Sequence, residues 1–92
     1  MRFEWDVNKN NANIEKHGIS FEIARMAFLD TNRVISIDVL HSNKNEKRYF
    51  CFGMVDEIII TVRFTVRNNS IKIIGAGLWR EGRKKYEEKN KI

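Results

Sequence analysis

The chain has 92 residues, with 17 Lys and Arg against 12 Asp and Glu and a formal net charge of +5. A chain of this length forms one small domain, which buries only about two thirds of the surface that the unfolded chain exposes. There is no room for a second lobe or a deep enclosed substrate cavity. We therefore predict a single domain over residues 1–92 whose function lies on an open surface.

The positive charge is concentrated in the second part of the chain. Residues 1–40 hold five Lys or Arg against six Asp or Glu, whereas residues 41–92 hold twelve against six. A strongly basic segment of this kind favours an anionic partner. The alternative is a solvated basic surface with no specific ligand.

The composition argues against several other classes. The single cysteine, Cys51, cannot form an internal disulfide, and its apolar surroundings are typical of a small core residue. With only two histidines, a histidine-rich metal site is not available, and no metal or cofactor is expected. No run approaches the roughly 18 apolar residues that a membrane span needs. Because Met1–Glu4 does not have the pattern of a signal peptide, we expect a cytoplasmic protein without membrane contact.

The N-terminal segment predicts a short strand followed by a helix. The aromatic and acidic residues Phe3–Trp5 are typical of a strand, and Asp6 is a favourable N-cap for a helix over residues 7–17. Gly18 supplies the left-handed conformation that a helix C-terminus often needs. His17 is then in the last turn of this helix, with its imidazole pointing outward at a corner.

A second helix is expected immediately after that corner. Ser20 is a suitable N-cap for it, and Glu22 is favourable in its first turn. Its apolar stripe has helical spacing and is expected to face the core. The stripe consists of Phe21, Ala24 and Phe28.

Strand patterns dominate the chain from residue 35 onward. The expected strands cover residues 35–39, 48–55, 58–66 and 70–74. Asn68-Asn69 suits a two-residue hairpin because Asn tolerates positive φ. Strands joined by tight turns predict an antiparallel sheet with the helices against one face, which is the α+β class. The alternating residues Ile35, Ile37 and Val39 are expected to pack on the apolar stripe of the second helix.

The C-terminal segment predicts one more helix, giving two N-terminal helices and one C-terminal helix. Gly75-Ala76-Gly77 is expected to form a sharp turn into a helix from Leu78 to about Lys89. Trp79 and Tyr86, seven residues apart, would share its buried side. Gly82 in mid-helix costs roughly 1 kcal/mol relative to alanine. Either a close approach to another segment requires it, or it reflects neutral drift.

His17 and the basic residues carry the only reactive chemistry that the sequence suggests. Cleavage of RNA without a metal ion needs a base for the 2′-hydroxyl, cations for the developing charge and an acid for the leaving oxygen. His, Lys and Arg supply all three, and an open sheet surface admits a single strand. The simpler interpretations are that His17 caps helix carbonyls, that Arg63 faces solvent, and that residues 80–85 form a solvated helix face.

Several motifs resemble those of one protein family, and together they extend over nearly the whole chain. The motifs are Phe3-Glu4-Trp5-Asp6, Lys9, Asn13, Lys16-His17-Gly18-Ile19-Ser20-Phe21, Ala24, Glu46-Lys47-Arg48, Thr65-X-Arg67, Ile71-Lys72-Ile73-Ile74, and Glu81 with Tyr86. With these motifs the chain resembles the BrnT family of type II toxin-antitoxin ribonuclease toxins, whose fold is similar to that of the RelE toxins.

The resemblance implies a metal-independent endoribonuclease that inhibits translation and growth. It also implies a cognate DNA-binding antitoxin, which neutralises the toxin in a complex that can contain a toxin dimer. The residues expected to be catalytic are His17, Lys16, Arg48 and Arg67. The residues expected to bind RNA are Lys9, Lys47, Arg63, Arg80 and Arg83.

One segment departs from the family pattern. Members commonly continue with Ser-Ala-Arg after the last strand, whereas this chain has Gly75-Ala76-Gly77. An arginine expected near the active face is therefore missing, so either Arg80 or Arg83 replaces it or the activity is reduced. The alternative function is a catalytically silent RNA- or antitoxin-binding module with the same fold.

Overall fold

The computed structural model describes residues 1–92 and has one five-stranded sheet with three α-helices. The strands are β1 (Arg2–Trp5), β2 (Val34–Ile37), β3 (Arg48–Val55), β4 (Ile58–Arg67) and β5 (Ser70–Gly77). The helices are α1 (Val7–His17), α2 (Phe21–Ala24), which continues as a 3₁₀ segment (Arg25–Leu29), and α3 (Arg80–Asn90). The α+β class is confirmed.

The sheet is mixed, with strand order β1-β5-β4-β3-β2. Strands β2 to β5 form the predicted antiparallel meander. The hairpin turn has positive φ angles of 49° at Asn68 and 64° at Asn69, as a two-residue turn requires. β1 pairs in parallel with β5, so the prediction of a purely antiparallel sheet is wrong. That pairing joins the two ends of the chain, where no local turn signal exists.

The predicted boundaries of the N-terminal helices are set by their caps. The Asp6 carboxylate accepts hydrogen bonds from the first backbone N–H groups of α1, and Gly18 ends that helix with a left-handed φ of 70°. The Ser20 hydroxyl accepts a hydrogen bond from the Ile23 N–H at 3.1 Å. The corner between α1 and α2 is therefore determined by local sequence.

The core lies between the sheet and the segment formed by α2 and the 3₁₀ turn. Phe21 and Ala24 are fully buried, and Phe28 packs against the same cluster, so the predicted stripe is confirmed. Cys51 is also fully buried, and burial raises the pKa of its thiol to about 12. It is the small core residue that the sequence predicts.

The prediction that β2 packs on this stripe is wrong. Ile35 and Ile37 face the same side as the core residue Cys51 and as Tyr49, with which they pair, but they are 48 % and 46 % exposed. Val39 lies beyond the end of β2 and is more exposed still. The reason is position, because β2 is the edge strand and the helical layer does not extend over it.

The C-terminal segment differs from the prediction in two ways. Gly75-Ala76-Gly77 continues β5, because Gly77 pairs with Thr61 across the sheet, and α3 begins only at Arg80. α3 also packs on the face opposite α2, where a side chain at Gly82 would clash with Thr61 and Phe52. Gly82 is thus explained by a close approach. Tyr86 is buried, but Trp79 precedes the helix and does not share its buried side.

No helix of the structure is long and apolar enough to cross a membrane.

Candidate active site

The sheet surface opposite the core carries most of the predicted site residues of the strands. Directly opposed residues of antiparallel strands share a face, and the register pairs Arg48 with Thr65, Thr65 with Lys72 and Phe50 with Arg63. Arg67 follows Thr65 at a spacing of two and lies on the same side. We call this surface, with Arg48, Arg63, Arg67 and Lys72, the basic face. α3 covers only its other end.

Two asparagines hold α1 at the edge of this face. The Asn13 amide donates to the Ile19 carbonyl at 2.8 Å and accepts from the Ala76 N–H at 3.1 Å, which ties the helix to β5. The side-chain amide oxygen of Asn10 accepts a hydrogen bond from the Phe21 N–H at 2.8 Å. A helix that is too polar to form a conventional apolar stripe is therefore docked by hydrogen bonds in a buried position. This docking places its last turn, with His17, beside β5.

A shallow cleft of about 550 Å³ lies between α1 and the basic face. Its polar lining comes from Lys9, Asn13, Lys16 and His17 on α1 and from Arg63 on β4, and Trp79 also lines it. We call it the His17 cleft. None of its three cations forms an ion pair within the protein. The structure thus brings together three cations and an imidazole without a neutralising carboxylate.

His17 does not cap helix carbonyls, so that interpretation is wrong. Its imidazole, unlike that of His41, forms no hydrogen bond with the protein. The ring instead packs edge-on against Trp79, with ring centroids 5.4 Å apart. It is half-buried, and its nitrogen atoms remain available to a ligand. Arg63 lies on the side of the sheet opposite the core, as its simpler interpretation expects, and its side chain extends over Gly75 in the cleft.

Arg48 and Arg67 form a second group, which we call the Glu46 cluster. The Glu46 carboxylate accepts from the Arg67 guanidinium at 2.7 Å and from the Arg48 Nε at 3.2 Å. The hydrogen bonds from Arg67 and then from Arg48 hold the pKa of Glu46 below its usual value, so the carboxylate is ionised near neutral pH. Arg48 is the diagonal neighbour of Arg63 in the ladder, and such residues are roughly 7–8 Å apart. The two groups therefore adjoin.

The other predicted RNA-binding residues lie outside both groups. Arg80 and Arg83 line a second, wider groove of about 870 Å³, which runs between α3 and the ends of β3 and β4. We call it the α3 groove. Arg83 pairs with Glu87 at 3.3 Å. Lys47 is exposed beside Arg48, and only its backbone carbonyl is bound, by the Thr65 hydroxyl.

Sequence reasoning missed Trp79, which lines both the His17 cleft and the α3 groove. The sequence feature that could have indicated it is the glycine two residues earlier, Gly77. A side-chain carbon at Gly77 would lie 2.6–2.8 Å from the Trp79 ring, so the ring occupies the space that a glycine leaves open. An indole ring therefore lies against position 77, where the resemblance implies an arginine.

A second oriented histidine also escaped the sequence interpretation. The buried Asp38 carboxylate lies 2.8 Å from His41 Nδ1 and fixes the ring, whose side chain is about half exposed. His41 follows β2, at the opposite edge of the sheet from α1. The spacing Asp-X-X-His in the loop was the available signal. No three His, Cys, Asp or Glu side chains form a group that could hold a metal ion.

The fold and the cleft define a small α+β protein that presents an imidazole and unpaired cations on an open surface, a combination that attracts polyanions. A family model described as the ribonuclease toxin BrnT of type II toxin-antitoxin systems matches residues 5–82. The chain therefore belongs to the BrnT family of ribonuclease toxins, and the predicted resemblance to this family is confirmed. Curated proteins include no match to this chain.

Proposed function

We propose that this protein is a toxin that cleaves single-stranded RNA in the His17 cleft without a metal ion. The observation that carries the proposal is the arrangement of the cleft, where His17 and the cations Lys9, Lys16 and Arg63 surround a space accessible to a phosphate and none of these cations is ion-paired. Family membership supports ribonuclease activity.

The reaction transfers the phosphorus from one oxygen to another within the RNA chain. The ribose 2′-oxygen loses its proton and attacks the phosphorus, the bond to the 5′-oxygen breaks, and that oxygen takes up a proton. The products are a 2′,3′-cyclic phosphate and a 5′-hydroxyl. His17 transfers one of the two protons as acid or base, and Lys16 and Arg63 stabilise the charge that develops on the phosphorane.

The cations of the Glu46 cluster extend this electrostatic surface along the strand. We propose that Arg48 and Arg67 neutralise the reacting phosphate from the side of the cluster, and that Lys9 and Lys47 bind the neighbouring phosphates. Arg63 supplies the cleft with a guanidinium even though position 77 is glycine. Lys and Arg do not ligate a metal ion, and His17 is a single ligand, so this lining favours chemistry without a metal.

We propose that RNA cleavage by this protein inhibits translation and growth. The proposed protein partner is a cognate antitoxin, which neutralises the toxin and so relieves that inhibition. The exposed apolar side chains Ile35, Ile37, Val39 and Leu40 at the edge strand β2 support a protein partner. The expected result is that purified antitoxin abolishes RNA cleavage. The mass of the complex determines whether it contains a toxin dimer. Unchanged cleavage with saturating antitoxin would contradict this part of the proposal.

The deciding experiment incubates the purified protein with end-labelled single-stranded RNA in excess EDTA. Cleavage should continue and should produce 2′,3′-cyclic phosphate and 5′-hydroxyl ends. A strand with 2′-deoxyribose at the cleaved position is the matched control, and it should stay intact because the attacking oxygen is absent. Loss of activity in EDTA would refute the metal-independent scheme. RNA binding without cleavage would instead favour the silent module, which is the alternative that the glycine at position 77 suggests.

A further inference from the structure

Trp79 lies between the two concave surfaces of the molecule. The indole lies against Gly77 and meets the His17 ring at an interplanar angle of 68°, yet Trp79 remains 40 % exposed. It lines the His17 cleft and also forms a wall of the α3 groove. An exposed indole in a fixed orientation provides a flat surface on which an aromatic ligand can stack.

The α3 groove has the composition of a site for an unpaired nucleotide. Its floor is apolar and includes Ile58 and Leu78, which are 51 % and 57 % exposed, so this surface is not used by the core. Charged side chains also line it: the cations Arg80, Arg83 and Lys84 and the carboxylates Glu57 and Glu87, of which Glu87 pairs with Arg83. Arg80 and Lys84 form no ion pair within the protein. Proteins that bind single-stranded nucleic acid combine aromatic platforms for the bases with cations for the backbone.

We propose that Trp79 stacks an unpaired base of the RNA next to the cleaved bond, and that the α3 groove holds the nucleotides that follow. This inference rests on the proposed function and extends it to the path of the substrate. Because Trp79 touches His17, a base stacked on the indole has its own phosphate beside the His17 cleft. The phosphates further along reach Arg80 and Arg83. A base within a duplex exposes no free face, so the site selects single-stranded RNA.

Fluorescence provides a test that does not depend on cleavage. The chain has two tryptophans, and Trp5 packs edge-on against the core residue Phe21, away from both grooves. The probe is a single-stranded 2′-O-methyl hexanucleotide, which cannot be cleaved. Titration should quench the fluorescence of the parent and of the matched control Trp5→Phe, but not that of Trp79→Phe. Quenching that persists in Trp79→Phe would overturn the inference.

Substitution of the platform should weaken binding of the same probe. Loss of a base–aromatic stack in Trp79→Leu should lower the affinity roughly 5- to 100-fold, and Trp79→Phe should restore part of it. Equal affinity of Trp79→Leu and the parent would contradict the stacking role. The melting temperatures of both variants check that substitution at this exposed position has not affected the fold.

Two glycine substitutions test whether the position of the indole matters when Trp79 itself is retained. In Gly77→Ala the new methyl group would overlap the Trp79 ring and displace it, while Trp79 itself is retained. In Gly75→Ala the methyl group would make only ordinary contacts, at 3.9–4.0 Å from Arg63 and Asn13. Gly77→Ala should therefore raise the KM for single-stranded RNA clearly more than Gly75→Ala does. Equal effects of the two substitutions would count against a fixed platform.

The outcomes distinguish this inference from the proposed function. If the parent cleaves RNA but the fluorescence of Trp79 does not respond to the probe, the inference fails and the function stands. If Trp79 responds with the expected loss in Trp79→Leu but the parent does not cleave RNA, the function fails and the nucleotide site stands.

Discussion

The His17 cleft and the Glu46 cluster adjoin on the basic face, but their charges are arranged differently. In the cleft, Lys9, Lys16 and Arg63 have no carboxylate partner. In the cluster, one carboxylate binds two arginines through hydrogen bonds of 2.7 and 3.2 Å. The cations beside the imidazole are thus not neutralised. The arginines of the Glu46 cluster, at a diagonal neighbouring position of the sheet, are oriented and partly neutralised.

This difference suggests how the work is divided between the two groups. Unpaired cations that lie close together repel one another, which is unfavourable for the isolated protein. The same unpaired charges attract an anionic ligand. An exposed ion pair contributes little to stability, so Glu46 serves to fix the directions of its two arginines. We infer that the cleft performs the chemistry and that the cluster guides the strand and adds charge from the side.

The largest expected effect comes from the two histidines. His17→Ala should lower the cleavage rate by about 10²–10⁴-fold, the usual contribution of a general acid or base. His41→Ala is the matched control at the far edge of the sheet and should cleave nearly as well as the parent. Single-turnover rates on labelled RNA provide the measurement. A larger loss in His41→Ala would transfer the chemistry to the Asp38–His41 pair.

A smaller effect is expected from the arginines that distinguish the two groups. Arg63→Gln should lower turnover by about 10²-fold, the lower end of the range for a donor that stabilises developing charge. Arg67→Gln should lower it roughly tenfold, because Glu46 already offsets part of its charge. In both variants turnover should decrease more than affinity, since only interactions that strengthen in the transition state raise the chemical rate.

The measurement for this pair is single-turnover cleavage beside equilibrium binding of the non-cleavable RNA. A greater loss in Arg67→Gln than in Arg63→Gln would place the reacting phosphate at the Glu46 cluster. Equal fractional losses of rate and affinity in either variant would make that arginine a general phosphate contact.

Removing the Glu46 carboxylate should strengthen RNA binding, whereas removing an arginine should weaken it. Glu46→Gln leaves Arg48 and Arg67 without an ion-pair partner, so RNA affinity should rise by roughly threefold at low salt. The slope of log affinity against log salt should steepen by up to about 0.7 for each additional phosphate contact on a single strand. Binding across a salt series checks both. Weaker binding of Glu46→Gln would show that orientation of the arginines matters more than their charge.

The smallest effect on cleavage is expected from a hydrogen bond outside both groups. The Tyr86 hydroxyl donates to the Asp30 carboxylate at 2.6 Å and joins α3 to the end of the 3₁₀ segment. Tyr86→Phe should lower the free energy of unfolding by about 1.5–3 kcal/mol, as for a hydrogen bond to a charged group. Cleavage well below the melting temperature should be close to that of the parent. A large loss of activity would mean that docking of α3 controls the cleft.

The same bond predicts a pH dependence of stability. Partial burial opposes the charged form of Asp30, but hydrogen bonds from Tyr86 and from two backbone N–H groups outweigh it and hold the pKa of Asp30 below its usual 3.8. The stabilisation is therefore complete above about pH 5 and is lost as the pH falls through the lower folded value. Denaturant unfolding of the parent and Tyr86→Phe between pH 2 and 6 should show the difference shrinking at the acid end.

Local signals explain what the sequence could predict. Asp6, Gly18 and Ser20 set helix ends through bonds to residues a few positions away, and Asn68-Asn69 determines its turn by its own backbone preference. Lys16 and His17 follow Lys9 by seven and eight residues on one helix, a spacing from which their shared side could also have been predicted.

The remaining features depend on contacts between distant segments. The parallel pairing of β1 with β5, the face on which α3 packs and the exposure of β2 all arise from the order of strands in the sheet. The approach of Arg63 and Trp79 to His17 needs that same order, because the three residues come from β4, the start of α3 and α1. The periodicity of a single segment cannot predict a contact between residues of three different segments.

The central claim, that RNA is held in the His17 cleft, is tested most directly by NMR of the two histidines. His17→Ala and His41→Ala assign the imidazole resonances, and the unlabelled 2′-O-methyl hexanucleotide is then titrated into the parent. The account predicts a large saturable shift of the His17 resonances and little change at His41. A shift at His41 with His17 unaffected would contradict it, because the RNA would then lie at the opposite edge of the sheet.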